Sequence, residues 1–128
     1  MKKQSDDNLK TTGKPRVFET GAQRDNATGK PRMSLIPHKA LYGLMDRFLK
    51  GAETYGESNW AHGMKNSVLY DSAMRHLMAD WTGDDSEPHL DAALFNICCM
   101  IEFRATRPDL DDRAEALKNS IPFPKFIS

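Results

Sequence analysis

The chain has 128 residues, and its 18 Lys plus Arg balance 18 Asp plus Glu, so the formal net charge is zero. That excludes a global field drawing the protein onto nucleic acid or an anionic membrane, and any anion site has to be local. The length is that of one domain, and 39% hydrophobic residues supply a modest core.

No apolar run nears the roughly 20 residues that span a bilayer. The start, Met-Lys-Lys-Gln-Ser-Asp-Asp, lacks the apolar segment of a signal peptide. These features predict a cytoplasmic protein with neither nucleic acid nor membrane as partner. The two cysteines, Cys98 and Cys99, are neighbours. A bridge between them is strained, so the expectation is buried free thiols.

Residues 1–19 are polar and Lys-rich, and read as a flexible arm. Residues 20–36 form a basic loop in which Arg24, Lys30 and Arg32 fall within nine residues, separated by turn formers. Arginine offers a planar fork that matches phosphate oxygens, lysine adds a point charge, and glycines admit close approach of the backbone. One reading is a phosphate-gripping loop before a helix. The plainer one is a solvated basic segment.

Pro37 suits the start of a helix. Leu41, Leu44, Met45, Phe48, Leu49 and Ala52 follow at helical spacing and predict an amphipathic helix over 37–52, with Gly51 and Gly56 marking its end. A second helix is expected over 67–81, capped by Ser67, with Leu69, Tyr70, Ala73, Met74, Leu77, Met78 and Trp81 as its stripe. Thr82-Gly83-Asp84-Asp85-Ser86 breaks it. A third starts near Glu87 or Pro88 and runs to about Ala105, burying Leu90, Ala93, Leu94, Ile97, Cys98 and Ile101.

A short amphipathic piece spans 111–118, and the apolar tail 121–127 is too Pro-broken for a regular helix. No strand alternation is visible. The expected architecture is all-α: a small bundle of three main helices after a long N-terminal loop. Its core is thin, so it should be completed by a homodimer or higher homo-oligomer.

An antiparallel hairpin of the second and third helices gathers candidate chemistry. His76 and Asp80 share one helix face, as do His89, Ala92, Ala93 and Asn96, with Asp84, Asp85 and Glu87 between the helices. Imidazoles with carboxylates form a plausible ligand set for a divalent ion, with Asp80, Asp85, Glu87 and His89 as ligands. His76, Asp85, Glu87 and His89 are the candidate catalytic groups. The alternative is a pair of hydrogen-bonded core histidines beside a solvated acidic turn. Arg75 is a candidate phosphate ligand.

The run Gly51-Ala52-Glu53-Thr54-Tyr55-Gly56-Glu57-Ser58-Asn59-Trp60 offers two flat rings, Tyr55 and Trp60, and in Asn59 an amide able to read a base edge. A helix end with two packed aromatics is the other account of it. There is no Walker-type loop, no Cys-x-x-Cys pair and no Gly-x-Ser-x-Gly elbow.

Taken in order, these pieces resemble a phage-associated family, the dATP/dGTP diphosphohydrolase N-terminal family, and beyond it the MazG-like all-α pyrophosphohydrolases. The matching text is Gly21-Ala22-Gln23-Arg24-Asp25, Gly29-Lys30-Pro31-Arg32, Leu35-Ile36-Pro37, Gly51-Ala52, Tyr55-Gly56 and Asn59-Trp60. It continues with Arg75-His76-Leu77, Trp81, Gly83, Asp85, Glu87, His89-Leu90 and Asn96. The resemblance implies cleavage of a purine deoxynucleoside triphosphate to monophosphate and pyrophosphate with magnesium or manganese.

On that basis residues 20–105 are a nucleotide-handling domain, 1–19 its arm and 106–128 an extension. Arg24, Lys30, Arg32 and Arg75 would hold phosphates, and Tyr55, Asn59 and Trp60 the base. MazG-like enzymes carry Glu-x-x-Glu and Glu-x-x-Asp, where this chain reads Arg75-His76-Leu77 and His89-Leu90-Asp91-Ala92. That departure keeps a second expectation open: a non-catalytic protein that sequesters a nucleotide signal.

Overall fold

The structure, a computed structural model, describes residues 13–117. The expected flexibility of the first residues and the expected character of the tail at 121–127 fall wholly or largely outside them. The chain divides after Ile36 into an N-terminal segment and a helical unit.

In the N-terminal segment, β1 (Arg16–Val17) pairs antiparallel with β2 (Gln23–Arg24), Arg16 opposite Arg24 and Val17 opposite Gln23. Two-residue strands are too short to show alternation, which is why the sequence predicts no strand here. The turn is closed by Phe18 N–H donating to Ala22 O and Gly21 N–H donating to Phe18 O, both at 2.9 Å, with Gly21 at φ +87°. Asn26 Oδ1 accepts from Thr28 N–H at 2.7 Å, an Asx turn that orders the approach to Lys30. The basic loop is therefore built turn by turn. Arg24, Lys30 and Arg32 are all exposed.

The helical unit contains α1 (His38–Tyr55), α2 (Asn66–Trp81), α3 (His89–Thr106) and the single turn α4 (Arg113–Ala116). Short 3-10 turns occupy Asn59–His62 and Pro108–Leu110. The all-α architecture is as expected, with shifted boundaries. Gly51 lies inside α1; Gly56, at φ +95°, ends it, its N–H donating to Ala52 O at 2.9 Å. Ser67 is not the cap of α2, because Lys65 precedes the first helical residue. The orphan N–H of Ser67 is satisfied from elsewhere in the chain, by Asp112 Oδ1 at 2.9 Å, while its hydroxyl donates to Asp112 Oδ2. That pair of bonds holds Asp112 below the usual carboxylate range.

α2 and α3 pair antiparallel: Asn66 meets Arg104, Ser72 meets Asn96 and His76 meets His89, partner numbers falling as positions rise. Leu69, Cys99 and Phe103 are the buried centre, with Phe48, Trp60, Met64, Phe95, Met100 and Leu110 packed on it. α1 approaches α3 closely at Gly43, where an added Cβ would lie 2.2 Å from Asp91 Oδ1. Both cysteines are free as expected, but only Cys99 is buried, its thiol pushed up to about 11, while Cys98 is half-buried.

The buried face of α3 differs from the expected stripe. It is His89, Ala92, Ala93, Asn96, Cys99 and Phe103, whereas Leu90, Ile97 and Ile101 are exposed. α3 is apolar around much of its circumference, so spacing alone does not choose a face. In α2, Leu69 and Ala73 are buried while Tyr70, Met74, Leu77, Met78 and Trp81 stay outside. Among the described residues no helix is long and apolar enough to cross a membrane.

Leu69 is 1% exposed at the centre of the hairpin. Leu69→Ala should cost about 2–5 kcal/mol in urea unfolding. A loss below about 1 kcal/mol would place the stabilising core elsewhere.

Candidate functional site

The turn between α2 and α3 reverses the chain through Gly83, at φ +89°. Gly83 N–H donates to Asp80 O and Asp84 N–H to Ala79 O, each at 3.0 Å, so the chain folds back over the end of α2. Ser86 N–H then donates to Asp84 Oδ1 at 2.9 Å. These bonds deliver Asp84, Glu87 and His89 to the end of the hairpin where α2 presents His76.

The two imidazoles meet through their Nδ1 atoms at 2.9 Å, with ring centres 5.2 Å apart. Glu87 Oε1 lies 3.7 Å from His76 Nδ1, and Arg47 of α1 places Nη1 3.6 Å from the same oxygen. On the far side of the His89 ring, Asp84 Oδ2 lies 3.2 Å from Nε2. That contact has ion-pair distance but is not aligned as a hydrogen bond, so Nε2 is sealed from solvent without a directed acceptor.

His89 is 8% exposed, and such a nitrogen is costly unless a partner offsets it. Burial holds His76 below its ordinary value; Glu87 opposes that shift, while Arg47, His89 and Arg75 add to it. Asp84 is held low by the Ser86 N–H and hydroxyl first, and then by His89.

This donor set fits a divalent ion. Ligand atoms of His76, Glu87 and His89 all lie within 4.8 Å of one another. Neighbouring donors around an octahedral ion with bonds of about 2.1 Å stand about 3 Å apart, close to the imidazole pair as found. Asp84 lies behind His89 Nε2, on the side where a metal-ligating histidine commonly has a carboxylate, while Nδ1 faces His76. Two imidazoles and one carboxylate suit manganese, iron, cobalt or zinc better than magnesium, which prefers oxygen.

Not every expected residue joins this cluster. Asp80 and Asp85 are exposed and outside it, and the Asp84 carboxylate, bonded to Ser86 N–H, lies behind the His89 ring at Nε2 and is not one of the three clustered ligands. Arg75 is exposed beside His76 and acts on it through charge.

A second feature shares a wall with the cluster. A cavity of about 740 Å³ opens between the end of α1 and the hairpin, lined among others by Tyr55, Asn59 and Trp60. Trp60 also belongs to the core, its ring 6.1 Å from those of Phe48 and Phe103, so it is a fixed wall. Tyr55 is exposed at the rim. The lip is strained: Ser58, at φ +61°, is the one non-glycine with positive φ among the described residues.

Arg47 and Lys50 supply the cavity's cations, and Ser72 and Asn96 supply polar groups from the hairpin. Sequence reading missed Arg47, which lines the cavity and also contacts Glu87. Its only signal was a cation set among the apolar positions of α1. Arg24, Lys30 and Arg32 belong to the N-terminal segment and form no part of either feature.

No curated protein and no solved structure gives a significant match to the chain. A family profile does, over residues 20–113, and its description is dATP/dGTP diphosphohydrolase, N-terminal. The matched span takes in the basic loop, the three main helices, the imidazole cluster and the cavity, and the chain belongs to the dATP/dGTP diphosphohydrolase N-terminal family.

Proposed function

We propose that the protein binds a purine deoxynucleoside triphosphate in the cavity beside Trp60 and hydrolyses it to monophosphate and pyrophosphate with a divalent ion at His76, Glu87 and His89. The observation that carries this reading is Arg47, which touches the carboxylate of the cluster and lines the cavity. A triphosphate held by Arg47 and Lys50 lies next to the cluster, while the base reaches Trp60, Tyr55 and Asn59. An ion held there would neutralise phosphate charge and acidify water for attack on the α-phosphorus.

The chain's own groups position the rest. Asp84 sets a negative charge behind the His89 ring. Arg47 gives phosphate oxygens a planar fork of donors. Water adds to phosphorus, pyrophosphate leaves, and the proton released passes to solvent. Arg24, Lys30, Arg32 and Arg75 are proposed as phosphate ligands, while Asp80 and Asp85, exposed and apart from the three clustered ligands, are left out of the ion site. Of the expected ions, magnesium or manganese, the donor set favours manganese.

A second reading has an observation of its own. The imidazoles are already hydrogen-bonded to each other, and one carboxylate stands where such hydrolases use several. A phosphate clamp with an aromatic wall would then serve to sequester a nucleotide intact.

Incubation of the protein with dATP or dGTP and manganese should release pyrophosphate, more slowly with magnesium, and His76→Ala should abolish release. Tight binding with all nucleotide recovered intact would favour sequestration. Manganese affinity should fall as pH drops, because protons compete for imidazole nitrogen. Since His76 is held low by burial, the loss should begin below about 6.5, the ordinary imidazole value. Affinity for nucleotide that instead rises with acidity, regardless of manganese, would mean that the imidazoles grip phosphate directly.

Arg47→Ala should weaken nucleotide binding by roughly tenfold or more, the scale of one lost charge-assisted hydrogen bond. Arg24→Ala and Arg32→Ala should weaken it while leaving the melting temperature unchanged. Calorimetric titration with thermal melts checks all three, and unchanged affinity removes the residue concerned from the site.

We also propose that a second copy covers the apolar face of α2 and α3, where Tyr70, Met78, Trp81 and Ile101 are each more than half exposed. Sedimentation at micromolar concentration should show a dimer or larger species. A monodisperse monomer would overturn this.

A further inference from the structure

Asn96 is a polar residue in the middle of α3 and only 7% exposed. An amide there is a poor helix former and is costly to bury, so its hydrogen bonds have to be accounted for one by one. Its Nδ2 donates to Ala92 O at 2.8 Å and to Ser72 Oγ at 3.1 Å, which uses both of its hydrogens. The Ala92 carbonyl only accepts, so it fixes which end of the amide is nitrogen.

What remains is Oδ1, an acceptor. Among the described residues no protein donor reaches it, yet it is not a sealed atom, since His89 Nε2 alone has that status. Oδ1 is therefore left with accessible surface and no protein donor, in a residue that lines the cavity.

Ser72 completes the pair. Thr54, Thr82 and Thr106 each donate their hydroxyl to the carbonyl four residues back. Ser72, also in a helix and also lining the cavity, makes no such bond among the described residues and accepts from Asn96 instead. Its own hydrogen stays uncommitted. The hairpin thus offers the cavity one fixed acceptor and, beside it, one free donor. A purine carries the complement: the amine of adenine lies beside a ring nitrogen, and the N1–H of guanine lies beside O6.

We propose that Ser72 and Asn96 are the base-reading pair of the cavity: Asn96 Oδ1 takes a hydrogen bond from an N–H on the purine edge, and the Ser72 hydroxyl donates to the acceptor next to it. This rests on the reading of the cavity as the nucleotide site and deepens it. Trp60 and Tyr55 recognise any ring, whereas this pair requires an N–H. A nucleotide without one leaves a buried carbonyl oxygen unpaired, a penalty that ligand stacking does not recover.

The test is equilibrium binding of dATP and of its analogue lacking the 6-amino group, measured by calorimetry in EDTA so that the nucleotide stays intact. The full chain and its Asn96→Ala and Ser72→Ala variants are compared, with a circular dichroism melt of each. The full chain should bind dATP about tenfold or more tighter than the analogue. Asn96→Ala should bring the two affinities together, and Ser72→Ala should weaken dATP by about threefold to tenfold.

Discrimination that survives in a folded Asn96→Ala variant overturns the proposal, as does a full chain that binds both ligands equally; in either case the cavity reading stands. A full chain that binds neither of these nor dGTP, in EDTA or with calcium in its place, removes both. If Asn96→Ala does not fold, Ser72→Ala decides, and unchanged dATP affinity there overturns the pair.

Discussion

The antiparallel pairing of α2 with α3 brings His76 to His89 and Ser72 to Asn96, and the rest of the helical unit packs on that hairpin. Leu69, Cys99 and Phe103 fix it from within, and burial of such side chains is the dominant favourable term in a domain this size. With that register set, Ser72 meets Asn96 near the middle, and His76 meets His89 at the end. A shift of one residue along either helix turns a side chain by about 100° and would separate both pairs together. Site geometry and core packing are therefore one property, and Gly43 extends it to α1 by letting that helix lie against Asp91 and bring Arg47 to Glu87.

The polar groups buried at the hairpin oppose stability. His89 Nε2 is sealed without a directed acceptor, two imidazoles share one short contact, and an amide sits mid-helix. A domain with a core this small tolerates such groups where the folded state gains a ligand that binds it alone, since ligand binding adds stability by mass action. Strain at the Ser58 lip belongs to the same pattern. The cluster, the cavity and the lip adjoin through Arg47 and Asn59, so the least favourable features of the unit are concentrated in one region.

Much of this was legible in the sequence where periodicity or residue chemistry is decisive. The three helices, the shared face of His89, Ala92, Ala93 and Asn96, and the imidazole pair follow from spacing. Tyr55, Asn59 and Trp60 follow from residue type. What escaped has physical reasons. The burial of α3 could not be chosen from spacing because both candidate faces are apolar enough. Asp84, not Asp85, meets His89 because a turn through Gly83, with Ser86 bonded to Asp84, decides which carboxylate faces the ring. The role of Asp112 at the start of α2 depends on a contact 45 residues away in sequence. Arg47 looked like one cation on an amphipathic helix, and only the fold sets it beside Glu87.

In the proposed ion site, His76 and His89 present their Nδ1 atoms to one ion, with the Asp84 carboxylate behind the His89 ring. Nitrogen NMR of the imidazoles during titration with zinc, a diamagnetic ion accepted by the same donors, tests it most directly. Nδ1 of both rings should shift together at one equivalent, Nε2 of His89 should stay protonated, and Glu87→Gln should weaken the response. Rings that ignore zinc, or a His89 that binds it through Nε2, would rule this site out.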